Sequence, residues 1–267
     1  MSASTVVVVP CYNEAERLDV AAFGGLLRRR DDVDLLFVDD GSTDATPAVL
    51  DRLHVEDPGR VTVLTLDRNA GKAEAVRQGV LAAIDRGAGA VAFWDADLAT
   101  PLDALDQFLH VLSARSGLEA VIGTRVQLLG RSIDRHLGRH YLGRIFATVV
   151  SLTLGMRVYD TQCGAKLFAV TPDLRVVFAE PFLSRWIFDV EILARLKALA
   201  QESGREPLEH RIYELTLFEW RDVHGSKLRA RDFATTVPDI ARIWWAYLRP
   251  GAQTYGPAET LPLKVRP

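Results

Sequence analysis

The chain has 267 residues, 48% hydrophobic and 25% charged, an ordinary globular mix that excludes disorder and collagen-like structure. Its 32 Lys and Arg stand against 35 Asp and Glu, a net charge of -3, so no global basic excess exists to drive nucleic-acid binding. Two cysteines, neither in a C-x-x-C, are too few for a disulfide framework and point to a reducing compartment.

The N-terminal MSASTVVVVP has no basic n-region and does not read as a signal peptide. The longest uncharged stretches, 1–13 and 145–156, fall short of the ~18 residues that cross a bilayer. The expectation is a cytoplasmic protein, soluble or lying on the inner face of a membrane. Along the first half, short β-branched runs at 5–9, 35–38, 61–66, 90–94 and 120–122 are nearly all apolar. That composition suits strands of a parallel sheet covered on both faces. Between them, Val76, Val80, Ala83 and Ile84 share one helical face, as do Leu105, Phe108, Leu109 and Leu112. Thr46-Pro47 and Thr100-Pro101 read as an N-cap followed by proline at the first helical position. Repeated strand–helix units predict an α/β fold with a mainly parallel open sheet flanked by helices.

After Gly123 the alternation stops. Residues 125–144 carry Arg125, Arg131, Arg135, Arg139 and Arg144 against a single acid, Asp134, and an apolar helical segment at 145–156 follows. A strand near 165–170, a helix near 188–200, a strand at 211–218 and an amphipathic helix at about 232–248 come next, the last with Pro238 as an expected kink. The reading is one domain over 1–250 and an unstructured tail over 251–267.

In open α/β sheets, ligands bind at the carboxyl ends of the strands. Those ends carry Pro10-Cys11-Tyr12-Asn13-Glu14, Asp39-Asp40-Gly41-Ser42, Arg68-Asn69-Ala70-Gly71-Lys72 and Asp95-Ala96-Asp97. No G-x-G-x-x-G follows the first strand, and Gly71-Lys72 lacks the other residues of a P-loop. Asp95 and Asp97 are two apart where an extended strand ends, which puts both carboxylates on one face. They repel unless a cation sits between them, and hard oxygens suit Mg²⁺ or Mn²⁺. Solvated acids capping a helix are the plainer alternative, and Asp103 fits that role better. Asp39-Asp40-Gly41-Ser42 taken alone is an ordinary turn. Beside three other polar strand ends it reads as part of a ligand site.

VVVVPCYNEAERL, FVDDGSTDAT, RNAGKAEAVRQG and FWDADLATPLD, in that order, resemble the inverting family 2 glycosyltransferases with the nucleotide-sugar-binding GT-A fold. DTQCGAKLF, RWIFDVEIL and HGSKL narrow the resemblance to the dolichyl-phosphate β-glucosyltransferase and polyprenyl-phosphate glycosyltransferase branch. The similarity spans about residues 5–228. It implies that Pro10, Tyr12 and Glu14, with Asp39 or Asp40, hold the base and ribose of a UDP-sugar. Lys72 would approach the diphosphate, and Asp95, Ala96 and Asp97 would form the DxD motif, Asp97 being the stronger metal ligand. A metal ion and a lysine would neutralise the leaving diphosphate. His224 is a further candidate ligand from a closing loop.

For the acceptor, Arg125 and Arg139 match family positions that grip a phosphate, and Arg forks suit that chemistry. Gln162, with Asp160, Thr161 and Cys163, is read as acceptor wall, and Arg185 as a further acceptor contact. Ile145, Phe146, Val149, Val150, Leu152 and Leu154 beside the basic strip fit peripheral contact with a membrane carrying an anionic lipid acceptor. A core helix or a dimer interface fits them equally. Asp189 matches the catalytic base of relatives that glycosylate hydroxyls, whereas a phosphate acceptor, already anionic, needs little base help. Cys163 reads as a small packed residue. His136 and His140 lack the glutamate of a zinc motif, position 137 being Leu.

The leading expectation is therefore a metal-dependent inverting transferase moving a hexose, glucose first, from a UDP-sugar to a polyprenyl or dolichyl phosphate. Transfer to a soluble hydroxyl acceptor with Asp189 as base is the alternative. A non-catalytic nucleotide-sugar-binding module is the third reading, against which the intact Asp95-Ala96-Asp97 and Asp189 speak.

Overall fold

A computed structural model describes residues 4–133, 137–223 and 230–252, and their side chains except those of 137–142 and 230–235. The expected tail beyond 252 lies outside the described residues. In chain order the elements are β1 (Thr5–Cys11), α1 (Val20–Arg29), β2 (Val33–Asp39), α2 (Thr46–Glu56), β3 (Val61–Thr65), α3 (Lys72–Asp85), β4 (Ala90–Trp94) and α4 (Ala104–Ala114). There follow β5 (Ala120–Thr124), β6 (Ser132–Ile133), α5 (Leu137–Leu154), β7 (Ala165–Ala169), α6 (Pro172–Ala179) and α7 (Phe188–Glu202). Last come β8 (Ile212–Thr216), β9 (Glu219–Trp220), α8 (Ala230–Ile243) and a π-helical turn, Trp244–Leu248.

Seven strands form one sheet in the order β3-β2-β1-β4-β7-β5-β8, and β6 pairs with β9 apart from it. All neighbours in the large sheet are parallel except β7, which runs antiparallel to both β4 and β5. This matches the mainly parallel expectation and adds one reversal. Strand order turns back at β1, with β2 on one side and β4 on the other, the switch point at which open sheets bind ligands. The reversal of β7 has a direct consequence. Ala165 pairs with Trp94, so the segment entering β7, residues 160–164, lands at the same edge as the outgoing ends of β4 and β5.

Both faces of the sheet are covered at its centre, which is why β1, β4 and β5 are almost wholly apolar. Val6, Val8, Leu36, Val38, Phe93 and Ile122 point to the side of α3, α6 and α7. Val7, Val9, Leu35, Phe37, Trp94 and Val121 point to the side of α1, α2 and α4. Gly79 lets α3 approach β1, since a Cβ there would run into Val8. Two local expectations are corrected. Thr46 is the first residue of α2 rather than its cap, and its hydroxyl accepts from the Glu14 amide at 2.7 Å. Thr100-Pro101 precedes α4 by a turn, and Thr100 O accepts from the buried Trp94 indole at 2.8 Å.

Candidate active site

The loops leaving β1, β2 and β3 are tied to one another. Asn13 adopts φ 50°, a left-handed conformation that Asn tolerates better than most residues. Its amide donates to Ser42 Oγ at 3.0 Å, and its Oδ1 accepts from the Thr43 amide at 2.8 Å. Asp39, buried, accepts from the Ser42 amide at 3.0 Å. Asp40, also buried, accepts from the Ala70 and Gly71 amides at 2.7 and 2.8 Å. Burial raises the Asp40 carboxyl above its ordinary value, and those two amides pull it back. Gly41, at φ 67°, passes under the third loop, where a Cβ would stand 2.6 Å from the Arg68 carbonyl carbon. The acid pair thus also builds the loops that carry the other candidate residues. Tyr12 and Pro10 are half-buried beside them, and Glu14 Oε1 accepts from Arg17 at 2.6 Å. Arg185 lies on Gly71 and donates to Asn69 Oδ1 at 3.4 Å; with Arg68 and Ala70 they line an open cleft of about 410 Å³.

Next to this loop cluster is a group of closely set acids and lysines. Lys72, the first residue of α3, is ion-paired with Asp95 Oδ1. Burial would lower its ammonium, but Asp95, Asp189 and Asp97 outweigh burial and raise it. Asp95 and Asp97 sit in a turn past the end of β4 rather than on extended strand, with Leu98 at φ 50° completing it. A leucine in that region is strained, which sites of function commonly tolerate. Burial, and then the neighbouring Asp95, raise the Asp97 carboxyl; its Oδ1 accepts from the Ala99 amide at 3.1 Å. Ala96 between them is buried. Asp189 stands in the first turn of α7, fully inside the protein, with Lys166 Nζ 2.5 Å from its Oδ1. Burial raises the Asp189 carboxyl, against the pull of Lys166 and Lys72.

On the other side of β7 lies the candidate acceptor wall. Arg125 forks onto Asp160, Nε to Oδ2 at 2.6 Å and Nη2 to Oδ1 at 2.8 Å, which leaves the Nη1 end of the guanidinium for a ligand. Glu214 on β8 fixes this wall by accepting from the Tyr159 and Asp160 amides. Gln162 is half-buried next to it, its amide bonded to Asp160 Oδ1 at 3.2 Å. Cys163 is buried and packed, with its thiol raised by burial, as its reading as a small core residue requires. Arg131 stacks on Phe218 at 3.3 Å and Arg144 on Tyr159 at 4.5 Å. Arg135, His136 and His224, and the side chains of Arg139 and His140, lie outside the described residues. Helix α5 is split by face: Ile145, Val149 and Leu152 are exposed, whereas Val150 and Leu154 belong to the core. Val149 and Val150, grouped in one apolar stretch by the sequence, thus belong to opposite faces.

The fit of a divalent cation can be judged from the charges present. Asp95, Asp97 and Asp189 face Lys72 and Lys166, and Asp97 is raised partly by its neighbour Asp95. The acids outnumber the bases, and the free oxygens are hard. No group of three or more His, Cys, Asp or Glu among the described residues is placed to hold a metal. Asp95 and Asp97 suit an ion that takes one or two carboxylates and completes its shell from substrate phosphate, as Mg²⁺ does. Three residues of this site were given no role from the sequence, although Gly164 and Lys166 stand inside DTQCGAKLF. Gly164 is one: a Cβ there would coincide with the Asp95 carboxylate. Lys166 and Glu214 are the others, each an ordinary charged residue in a strand pattern.

The model of glycosyl transferase family 2 matches residues 6–173 of the chain. A dolichyl-phosphate β-glucosyltransferase of Drosophila melanogaster is 33% identical, the alignment covering 91% of this chain and 74% of the relative. The enzyme of the same name from Homo sapiens is 34% identical, over 83% of this chain and 68% of the relative. Among solved structures, glucosyl-3-phosphoglycerate synthase from Mycobacterium tuberculosis, in complex with Mn²⁺, UDP and glucosyl-3-phosphoglycerate, superposes with a TM-score of 0.64 at 18% identity. The match covers 91% of this chain and 81% of that one. At that identity the likeness establishes the fold, the GT-A arrangement expected from the sequence.

Proposed function

The chain belongs to glycosyl transferase family 2, and on that premise we propose that it transfers glucose from UDP-glucose to a polyprenyl or dolichyl phosphate with inversion at the anomeric carbon. The observation that carries this reading is the charged group Asp97, Asp95, Lys72 and Asp189, set between the tied loops and the Arg125–Asp160 wall. The relatives' names point to the same donor sugar and acceptor class.

Each residue has a part in that chemistry. Pro10, Tyr12 and Glu14 flank the base and ribose, and Asp39 and Asp40 hold the loops that receive them. Mg²⁺ or Mn²⁺ held by Asp95 and Asp97 would supply neutralisation of the leaving diphosphate. Lys72 is kept cationic by Asp95 and meets the diphosphate as a second positive group, so charge developing on the departing oxygen is matched within the site. Arg125, whose orientation is locked by Asp160, receives the acceptor phosphate, with Gln162 beside it in the same wall; Arg185 would approach from the Gly71 loop, and Arg139 is a further expected contact. Asp189 aligns the acceptor through its charge rather than by removing a proton, because a phosphate monoester is already anionic at pH 7.

Among the described residues no helix is long and apolar enough to cross a membrane. A lipid acceptor would be met at a membrane surface, on the exposed face of α5 formed by Ile145, Val149 and Leu152. A second reading has its own support: Asp189 is a buried carboxyl raised by its surroundings, the tuning a general base for a hydroxyl acceptor needs. A paired assay separates the two. Transfer from UDP-glucose is measured to a short polyprenyl phosphate and to soluble alcohols, for the unaltered protein and Asp189→Asn. The leading reading expects transfer to the phosphate that survives in part in Asp189→Asn; transfer to alcohols alone, abolished in that variant, supports the second.

A further inference from the structure

We propose that Lys166 is a positioning residue of the transfer reaction, which pins the Asp189 carboxylate as a fixed anion of that charged group. The inference rests on the reading that Asp189 serves transfer. Lys166 lies in the middle of the sheet, paired in register with Phe93 of β4 and Ile122 of β5, and is 1% exposed. A lysine is almost never buried to that degree without a partner. Its ammonium is held by three contacts: Asp189 Oδ1 at 2.5 Å, Cys163 O at 2.6 Å, and the face of Phe93 at 5.0 Å.

Stability does not account for the pair. Two buried charges pay a desolvation cost that their attraction barely repays, and hydrophobic residues of similar volume would serve the fold as well or better. What the pair does accomplish is local. Lys166 from β7 is in contact with Asp189, and Lys72 from the start of α3 and Asp95 from the turn after β4 act on it through the field alone. Lys72 is already paired with Asp95 and would turn to the diphosphate when donor binds. Lys166 is the cation that stays. Its bond to the Cys163 carbonyl also ties Asp189 to the acceptor wall at 160–163, so the carboxylate and that wall are held in one rigid unit. The N-terminus of α7, favourable to an anion, acts in the same direction. A neutral residue at 166 would leave a buried carboxyl that takes up a proton or turns away.

The test is the pH dependence of kcat/KM for glucose transfer in Lys166→Gln, Lys166→Arg and Asp189→Asn, each with its thermal unfolding curve. In Lys166→Gln the acid limb of the profile should move up by about one pH unit or more. At pH 7 kcat should drop about 10-fold or more, while KM for UDP-glucose changes less than about 3-fold. Lys166→Arg should recover most of the rate and the original limb. A folded Lys166→Gln with an unmoved limb and undiminished kcat overturns the proposal. If that variant does not fold, ¹³C titration of the Asp189 carboxyl in the unaltered protein decides, the signal being identified by its loss in Asp189→Asn. An ionised carboxyl at pH 7 supports the proposal and a protonated one overturns it. Undiminished transfer by Asp189→Asn would instead refute the underlying reading of Asp189.

Discussion

Gly164 carries no side chain because the Asp95 carboxylate occupies the space a Cβ would fill. Its carbonyl also accepts from the Asp95 amide at 3.0 Å, so one glycine fixes both the backbone and the carboxylate of the first acid in the DxD motif. Gly164→Ala should therefore drive Asp95 off Lys72 and lower kcat/KM by about 100-fold or more, the scale of loss when a reacting group is displaced by about 1 Å. Steady-state kinetics with a circular-dichroism check of the fold measures this. At Asp40, the substitution Asp40→Ala would strand the Ala70 and Gly71 amides, and calorimetry should show UDP binding weakened by about 10-fold or more. Asp40 and Asp95 were legible in the sequence because four polar segments end strands on the same sheet edge, where open sheets bind ligands. Gly164 was not: its constraint comes from a residue far away in the chain, and a glycine entering a strand has many ordinary uses.

At the scale of elements, the strands of the first half were legible because burial on both faces leaves mostly apolar, β-branched residues in the central ones. Helix α1 was harder to see, with Gly24 and Gly25 at its centre diluting helix propensity. The antiparallel insertion of β7 was not legible at all, since a short apolar run does not record its direction or its neighbours. That insertion is what brings Lys166 and the 160–164 segment to the site. The wall it builds depends on Glu214, whose carboxyl is raised by burial against two backbone amides. A carboxyl raised in the folded state contributes stability below its unfolded value of about 4.5, and that contribution is lost as pH rises through the raised value. Glu214→Gln removes the charge and keeps the Oε1 that accepts both the Tyr159 and Asp160 amides. Thermal unfolding should show Glu214→Gln more stable than the unaltered protein at pH 7.5, by about 2–4 °C, with the gap closing at pH 4. A constant gap across that range would mean Glu214 does not titrate with folding.

For the whole molecule, the open issue is where the acceptor is met. Helix α5 has a solvent face and a core face, and the two valines at its middle separate them: Val149 is 41% exposed and Val150 is 0% exposed. Val149→Glu should weaken binding to anionic liposomes in a flotation assay while leaving the unfolding midpoint nearly unchanged. Val150→Glu should unfold the protein, since a buried unpaired carboxylate costs several kcal/mol. Both helix and arginine run were visible in the sequence, but facing was not, because the segment is apolar nearly all round. The central claim is that this site joins glucose to a phosphate. The most direct measurement is transfer of radiolabelled glucose from UDP-glucose to a polyprenyl phosphate by the purified protein, with Mg²⁺ or Mn²⁺ and with EDTA. The account predicts an organic-phase β-glucosyl phosphate product that is lost with EDTA and in Asp97→Ala. Labelled product found only on water-soluble alcohols, or formed equally well by Asp97→Ala in EDTA, would contradict it.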